Sequence, residues 1–186
     1  MHFLQNIDNS IFYFINGTLA NPVTDVFMPF ITVEKHWFIF YAIMWLYLMI
    51  AGGKKGRIAA LLVLLLVLIS DQVSSNLIKN LVERVRPCNI LPSDKVHLLV
   101  GCTNSFSFPS SHAVNNFAGA FFFSFFYPKM KYGIYTGAFL MAISRVFCGV
   151  HYPSDVFGGM LIGLFIGWFI IWLWKKFNGK FKILKA

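Results

Sequence analysis

Five stretches of this sequence, 36–51, 58–79, 112–127, 132–150 and 154–174, are dominantly apolar, and short segments between them collect the charge. That alternation constrains the fold more than any other feature. With 58% hydrophobic residues, 18% aromatic and only 12% charged, a chain of 186 residues cannot hide its apolar surface in one soluble core, so lipid must cover part of it. The first and third stretches are short for a hydrocarbon core of about 30 Å and are expected to extend into their flanks. Ahead of them, residues 1–35 mix Phe, Ile and Leu with Asp, Asn and Thr. Ile11, Phe12, Ile15 and Leu19 recur at helical spacing there, as in a helix lying in the membrane interface. The pattern predicts an all-α, polytopic membrane helix bundle of about five transmembrane helices, preceded by an N-terminal interfacial amphipathic helix.

No internal repeat or low-complexity linker divides the chain, so residues 1–186 read as one membrane-embedded domain. It comprises an interfacial segment (1–35), a transmembrane core (36–174) and a basic cytoplasmic tail (175–186). The first twenty residues lack a basic start and are interrupted by Asp8, Asn9 and Asn16, so they do not read as a secretory signal. A net charge of +9 admits a nucleic-acid partner in principle. The basic residues lie in clusters beside apolar runs, however, which suits loops held against anionic lipid headgroups. The partners expected are therefore the bilayer and its lipids, not nucleic acid. Three cysteines, Cys88, Cys102 and Cys148, are too few for a disulfide framework. Cys88 and Cys102 either form one bridge in a loop facing an oxidising compartment or remain free thiols.

Orientation follows from the loops. Lys54, Lys55 and Arg57 lie between the first two spans, Lys129 and Lys131 between the third and fourth. Lys175, Lys176, Lys180, Lys182 and Lys185 follow the fifth. Alternating spans put all three clusters on one side, which the excess of cytoplasmic Lys and Arg makes the inside. The segment before residue 112 and the turn at 150–153 then lie outside.

Three groups of polar residues fall on that outer side. Lys79 is followed after six residues by Arg86-Pro87. Pro109-Ser110-Ser111-His112 opens the third span. Ser144-Arg145 ends the fourth and is followed by His151 and Asp155. This inventory suits phosphoryl transfer, in which negative charge spreads over three equatorial oxygens that cations and N–H donors must neutralise. Arg86 and Arg145 can grip such oxygens bidentately, and Lys79 acts as a point charge. Ser110 and Ser111 stand where a helix start presents unpaired amides. A neutral His151 can attack phosphorus if Asp155, four residues on, orients its far nitrogen. A protonated His112 can return a proton to the departing oxygen. The scheme needs no metal and no cofactor.

The three groups resemble the type 2 phosphatidic acid phosphatases, which share their site with vanadium-dependent haloperoxidases. That family's pattern is K-x6-RP, PSGH and SR-x5-H-x3-D. The first and third are met in full at Lys79, Arg86, Pro87, Ser144, Arg145, His151 and Asp155. The second is met at Pro109, Ser110 and His112, with Ser111 where the family has Gly. The resemblance implies that His151 is the nucleophile, Asp155 its partner and His112 the acid, with Lys79, Arg86, Ser110, the Ser111 amide and Arg145 binding phosphate. It also implies a bacterial inner-membrane enzyme whose site faces the periplasm. Its substrate would be undecaprenyl diphosphate, lipid A 1-phosphate or phosphatidylglycerol phosphate. Ser111 excludes any role requiring a positive φ, which only Gly adopts freely, but leaves a helix-start amide in place.

Taken singly, each residue is ordinary. Lys79 and Arg86 read as snorkelling cations, Ser110 as a helix cap, and His151 with Asp155 as a turn-stabilising pair. Arg145 inside an apolar helix is the exception, because it demands a partner or ligand. Gln72, Ser75, Asn76, Asn115 and Asn116 are expected to hydrogen-bond inside the bundle near the site. Glu83, Arg84, Asp94, Lys95 and His97 read as solvated loop residues, with Arg84 within reach of a headgroup. Competing functions are a phosphotransferase using the same site, a haloperoxidase, and a non-catalytic lipid-binding or transport protein.

Overall fold

The computed structural model describes residues 2–181, so Lys182 and Lys185 of the basic tail lie outside the described residues. Its regular structure is helical throughout. The five apolar stretches become α3 (Phe38–Ile50), α4 (Gly53–Asp71), α7 (Ser111–Phe126), α8 (Lys131–Phe147) and α9 (Pro153–Phe181). From α4 the chain passes through π-helical turns, Gln72–Ile78, into a short α5 (Lys79–Val82), and α6 (Pro87–Ile90) follows Arg86. By length and hydropathy, only the run starting at Gly53 and α9 are sufficient to cross a membrane, while α3 is shorter though apolar. Helices α7 and α8 have 16 and 17 residues, and polar site residues occupy the start of one and the end of the other.

Helix α7 is the hub. Its Val114, Ala118, Phe122 and Phe126 join Leu66 of α4 and Ile166, Ile170 and Trp174 of α9 in the largest apolar cluster. Trp174 is thus a core residue, not an interfacial anchor. Lipid offers apolar groups no incentive to leave it, so helices inside a bilayer associate where small residues let backbones touch. Gly159, Gly163 and Gly167 form such a stripe, one per turn of α9, facing the carbonyls of Ser110, Val114 and Ala118. A Cβ at Gly159 would lie 2.7 Å from the Ser110 carbonyl oxygen, and one at Gly167 2.8 Å from that of Ala118. This close approach fixes the starts of α7 and α9 side by side. The opposite faces, with Leu61, Leu64, Leu65 and Leu68 on α4 and Leu161, Phe165 and Trp168 on α9, are exposed and apolar, as a lipid-facing surface requires.

The N-terminal segment differs from the single amphipathic helix expected. It forms α1 (His2–Tyr13), π-helical turns over Phe14–Thr18, and α2 (Pro22–Thr32). The break has a local cause: the Asn21 side chain accepts from the amides of Val23 and Thr24, and the Thr24 hydroxyl accepts from the Asn21 amide, a reciprocal cap that starts a new helix. Both helices keep apolar residues outward, including Ile7, Ile11, Val23, Val26 and Phe30, while Asp8, Asn16 and Thr32 are buried. Asn16 is fully spoken for. Its Nδ2 donates to the carbonyls of His97 and Phe147, both at 2.8 Å, and its Oδ1 accepts from the His97 amide at 2.8 Å. The segment is therefore stitched across the ends of α8 and α9 where the three polar groups lie.

Candidate active site

Every residue of the three groups is carried by a helix end. Lys79 begins α5, Arg86 immediately precedes α6, and Ser110 is the N-cap of α7 with His112 in its first turn. Arg145 lies in the last turn of α8, His151 in the turn that follows, and Asp155 in the first turn of α9. Six of them are polar or charged yet nearly sealed from solvent: Lys79, Arg86, Ser110, Ser144, His151 and Asp155. Polar groups buried this deeply need partners or a ligand.

His151 is the most constrained. Arg86 Nη1 lies 3.1 Å from His151 Nε2. A guanidinium can only donate, so Nε2 presents its lone pair and the ring proton resides on Nδ1. On that side stand Asp155 Oδ2 and the Ser107 hydroxyl, each 3.4 Å away. Burial pushes the His151 pKa down to about 3; the Asp155 bond opposes this, and Arg86 and Arg145 reinforce it. The ring is thus neutral at physiological pH, with a directed lone pair. Arg86 is itself fixed by three backbone or side-chain acceptors, Ser105 O at 2.8 Å, Ser105 Oγ at 2.9 Å and Val150 O at 3.1 Å.

Other donors of the three groups are unspent. Among the described residues, Ser110 Oγ and Arg145 Nε are two of the three buried side-chain polar atoms with no hydrogen-bond partner. Arg145 Nη1 donates to Thr32 Oγ1 at 3.0 Å, which aims the rest of its fork inward. Lys79 makes no side-chain hydrogen bond or ion pair among the described residues. The first-turn amides of α7 have no intrahelical acceptor. Ser111 is helical, since Glu83, at φ 52°, is the one non-glycine residue described with positive φ. Its hydroxyl contacts Ser75 Oγ at 3.2 Å, leaving its amide at the helix start. His112 donates through Nε2 to the Thr32 carbonyl at 3.0 Å and lies 3.5 Å from Glu34 Oε1. Buried cations, an unpaired hydroxyl and helix-start amides gather at the same end of the bundle as His151, a combination that suits a tetrahedral oxyanion.

Several expectations need correction. Arg84 is not a solvated loop residue. Its Nη1 donates to Asp155 Oδ1 at 2.8 Å and Ser154 Oγ at 2.6 Å, and its Nη2 donates to Asp8 Oδ2 at 2.6 Å. Burial alone would lower its pKa, but Asp155 and Asp8 together raise it above the ordinary arginine value. His97 stays exposed in its loop, as expected, with its ring against Asp25 Oδ1 at 3.0 Å. Gln72 and Asn76 face outward and bond each other, because the π-helical turns rotate them off the bundle side. Ser75 and Asn115 do point inward, Asn115 accepting from the Ser70 hydroxyl at 2.7 Å. Cys88 and Cys102 are bridged, and Cys148 is free and buried. Ser107, Thr32 and Asp8 join the site without having been singled out. A Ser two residues ahead of Pro109 carried a faint signal, and the other two carried none.

Comparison with known proteins agrees with this geometry. The model of the PAP2 superfamily matches residues 60–179. The lipid A 4'-phosphatase of Bacteroides thetaiotaomicron is 31% identical over 97% of this chain and 82% of its own length. That of Porphyromonas gingivalis is 30% identical over 91% and 74%. A crystal structure of a transmembrane PAP2 type phosphatidylglycerolphosphate phosphatase from Bacillus subtilis superimposes with a TM-score of 0.74, at 25% identity, over 95% of this chain and 88% of that one. A bundle of apolar helices with buried basic and polar side chains at one end, in a chain related to lipid phosphatases, defines a membrane phosphatase acting on lipid phosphates. The chain belongs to the PAP2 superfamily.

Proposed function

We propose that this protein removes a phosphate from a lipid at the outer face of a bacterial cytoplasmic membrane, without a metal ion, through a phosphohistidine on His151. In the first step Nε2 of His151 attacks phosphorus, the P–O bond to the lipid breaks, and His112 gives a proton to the departing lipid oxygen. In the second, water attacks the P–N bond, His112 takes a proton from that water, and phosphate leaves with His151 restored. Arg86, Arg145, Lys79, Ser110 Oγ and the α7 amides hold the equatorial oxygens throughout, and Asp155 stabilises the Nδ1 proton as the ring gains positive character.

The observation that carries this reading is the tautomer of His151. Arg86 Nη1, 3.1 Å from Nε2, can only donate, which leaves the ring proton on Nδ1 facing Asp155 and the lone pair on Nε2. Five crossings with the site outside are supported by the basic loops at the opposite end of the helices and by the Cys88–Cys102 bridge, which suits an oxidising compartment. The substrate best supported is a lipid A 4'-phosphate, because relatives with that activity match nearly the whole chain.

A panel of lipid A 4'-phosphate, lipid A 1-phosphate, phosphatidylglycerol phosphate and undecaprenyl diphosphate in detergent tests it. The 4'-phosphate should be hydrolysed fastest, with chelator present, with inhibition by vanadate, and not by His151→Ala. Loss of activity in chelator would overturn the metal-free scheme, and a fully active His151→Ala would overturn the nucleophile. Preference for another lipid would overturn the substrate alone.

A further inference from the structure

We infer that Arg84, held from outside by Asp8 of the N-terminal segment, is a positioning residue that fixes both groups facing His151 Nδ1; this rests on His151 being the nucleophile. Arg84 reaches those groups in two ways. Its guanidinium donates to Asp155 Oδ1 at 2.8 Å, and its backbone carbonyl accepts from the Ser107 amide at 2.6 Å. Ser107 in turn donates to Asp155 Oδ2, which also accepts from the Tyr152 amide at 2.8 Å. Asp155 is fully buried and no other Lys or Arg among the described residues contacts it, so without Arg84 its Oδ1 would lose its charged partner and only the neutral donors on Oδ2 would hold the carboxylate against the imidazole.

The outer half of the clamp explains why Arg84 itself does not move. Nη2 donates to Asp8 Oδ2 at 2.6 Å and to Gln5 Oε1 at 3.2 Å. Asp8 also accepts from the Ser154 amide at 3.0 Å and from the Ser154 hydroxyl. The guanidinium carbon lies over the Tyr152 ring, 4.0 Å from its centroid. Asp8, Arg84, Ser154 and Asp155 thus form one closed set across α1, the loop before α6, and α9. The arrangement also separates Arg84 from phosphate binding. It meets Asp155 on the Nδ1 side of the ring, whereas phosphorus bonds at Nε2, where Arg86 stands, and both its terminal nitrogens are already engaged. Asp8 lies outside residues 60–179 matched by the family model, so the clamp joins the N-terminal helix to the matched region.

The test compares kcat and KM of Arg84→Gln, Arg84→Lys, Asp8→Asn and the double variant Arg84→Gln/Asp8→Asn. It uses the full chain in detergent, with thermal melting as the folding control. Arg84→Gln should lose about 10²-fold in kcat, the cost of displacing a reacting group by an ångström, with KM and competitive inhibition by inorganic phosphate unchanged. Arg84→Lys should recover part of that rate. Asp8→Asn should lose about 5-fold, since a neutral acceptor bonds roughly half as strongly as a charged one. The double variant should be no slower than Arg84→Gln, because Asp8 acts through Arg84. Well-folded variants with kcat within two-fold of the unmodified enzyme, a rise in KM instead of a fall in kcat, or additive losses would each overturn the inference. Should Arg84→Gln not fold, Arg84→Lys and Asp8→Asn decide alone. Full activity of His151→Ala would instead remove the nucleophile reading beneath it.

Discussion

The Thr32 hydroxyl accepts a hydrogen bond from Arg145 Nη1 at 3.0 Å, tying a residue of α2 to one in the last turn of α8. The same threonine offers its backbone carbonyl to His112 Nε2, also at 3.0 Å. One residue therefore holds both the arginine proposed to bind phosphate and the proposed acid, through two different atoms. Thr32→Val separates them, because valine keeps the shape and the carbonyl and removes only the hydroxyl. A bond to a charged donor is worth about 1.5–3 kcal/mol, so kcat/KM should fall roughly 10- to 100-fold. Steady-state kinetics should show the loss without a change in the alkaline limb of the pH profile, since His112 keeps its acceptor. An unaltered kcat/KM would show that Arg145 is aimed by other means.

Ser110 offers a prediction in which activity and stability move oppositely. Its hydroxyl is buried without a partner, which costs about 1–3 kcal/mol that only a ligand recovers. Ser110→Ala should therefore melt at the same or a higher temperature than the unmodified protein while kcat/KM drops by about 10-fold or more. Melting curves repeated with inorganic phosphate give a second reading, because phosphate should stabilise the unmodified protein more than the variant. A variant that loses both stability and activity would mark Ser110 as a packing residue.

The buried neutral His151 makes the fold sensitive to acid. Its pKa is about 3 in the folded protein against an ordinary 6.5, so between those values the unfolded chain binds a proton that the folded one refuses. Stability then rises with pH across that window. His151 leaves the fold unpenalised above pH 6.5 and costs progressively more as pH falls towards 3. Melting temperatures in detergent from pH 4 to 8 should decline on the acid side, and His151→Gln, which cannot titrate, should decline less steeply. Parallel slopes would show that His151 is not the group responsible. The same shift keeps His151, the proposed nucleophile, neutral through mildly acidic pH, so the acid limb of a bell-shaped kcat/KM profile should not centre near 6.5.

Chemistry made the heart of the site legible before any fold was known. Phosphoryl transfer leaves few choices beyond cations, a base and an acid, and the helix-end positions of Lys79, Arg86, His112, Arg145, His151 and Asp155 follow from where apolar runs stop. What was not legible depends on chain reversal. Arg84 meets Asp8 across 76 positions and Arg145 meets Thr32 across 113, and no periodicity links such residues. Residues 1–35 were read for their apolar face, which suggests an interface helix. Their functional content is the opposite face, where Asp8, Asn16 and Thr32 turn inward. Gln72 and Asn76 differ for another reason: α-helical spacing points them into the bundle, but the chain forms π-helical turns there, whose extra residue per turn moves side chains around the axis.

The Cys88–Cys102 bridge closes a loop whose two ends lead into the site, with Arg86 just before it and Ser105 just after. Arg86 Nε and Nη2 bond Ser105 at 2.8 and 2.9 Å, and Asn89 Nδ2 bonds the Thr103 carbonyl at 3.0 Å, so the bridge pins the segment that presents Arg86 to His151. The cysteines are 14 positions apart, and closing a loop of that length stabilises a fold by about 3 kcal/mol through the unfolded chain. Cys88→Ser/Cys102→Ser, or reductant applied to the unmodified protein, should lower the melting temperature. Either should also raise KM for the lipid phosphate, because Ser105 would no longer hold Arg86. Cys148, buried and unbridged, should leave both quantities unchanged when replaced by alanine, apart from a small packing loss. If the reduced enzyme melts and turns over like the oxidised one, Arg86 is held by its Val150 contact and the loop is dispensable to the site.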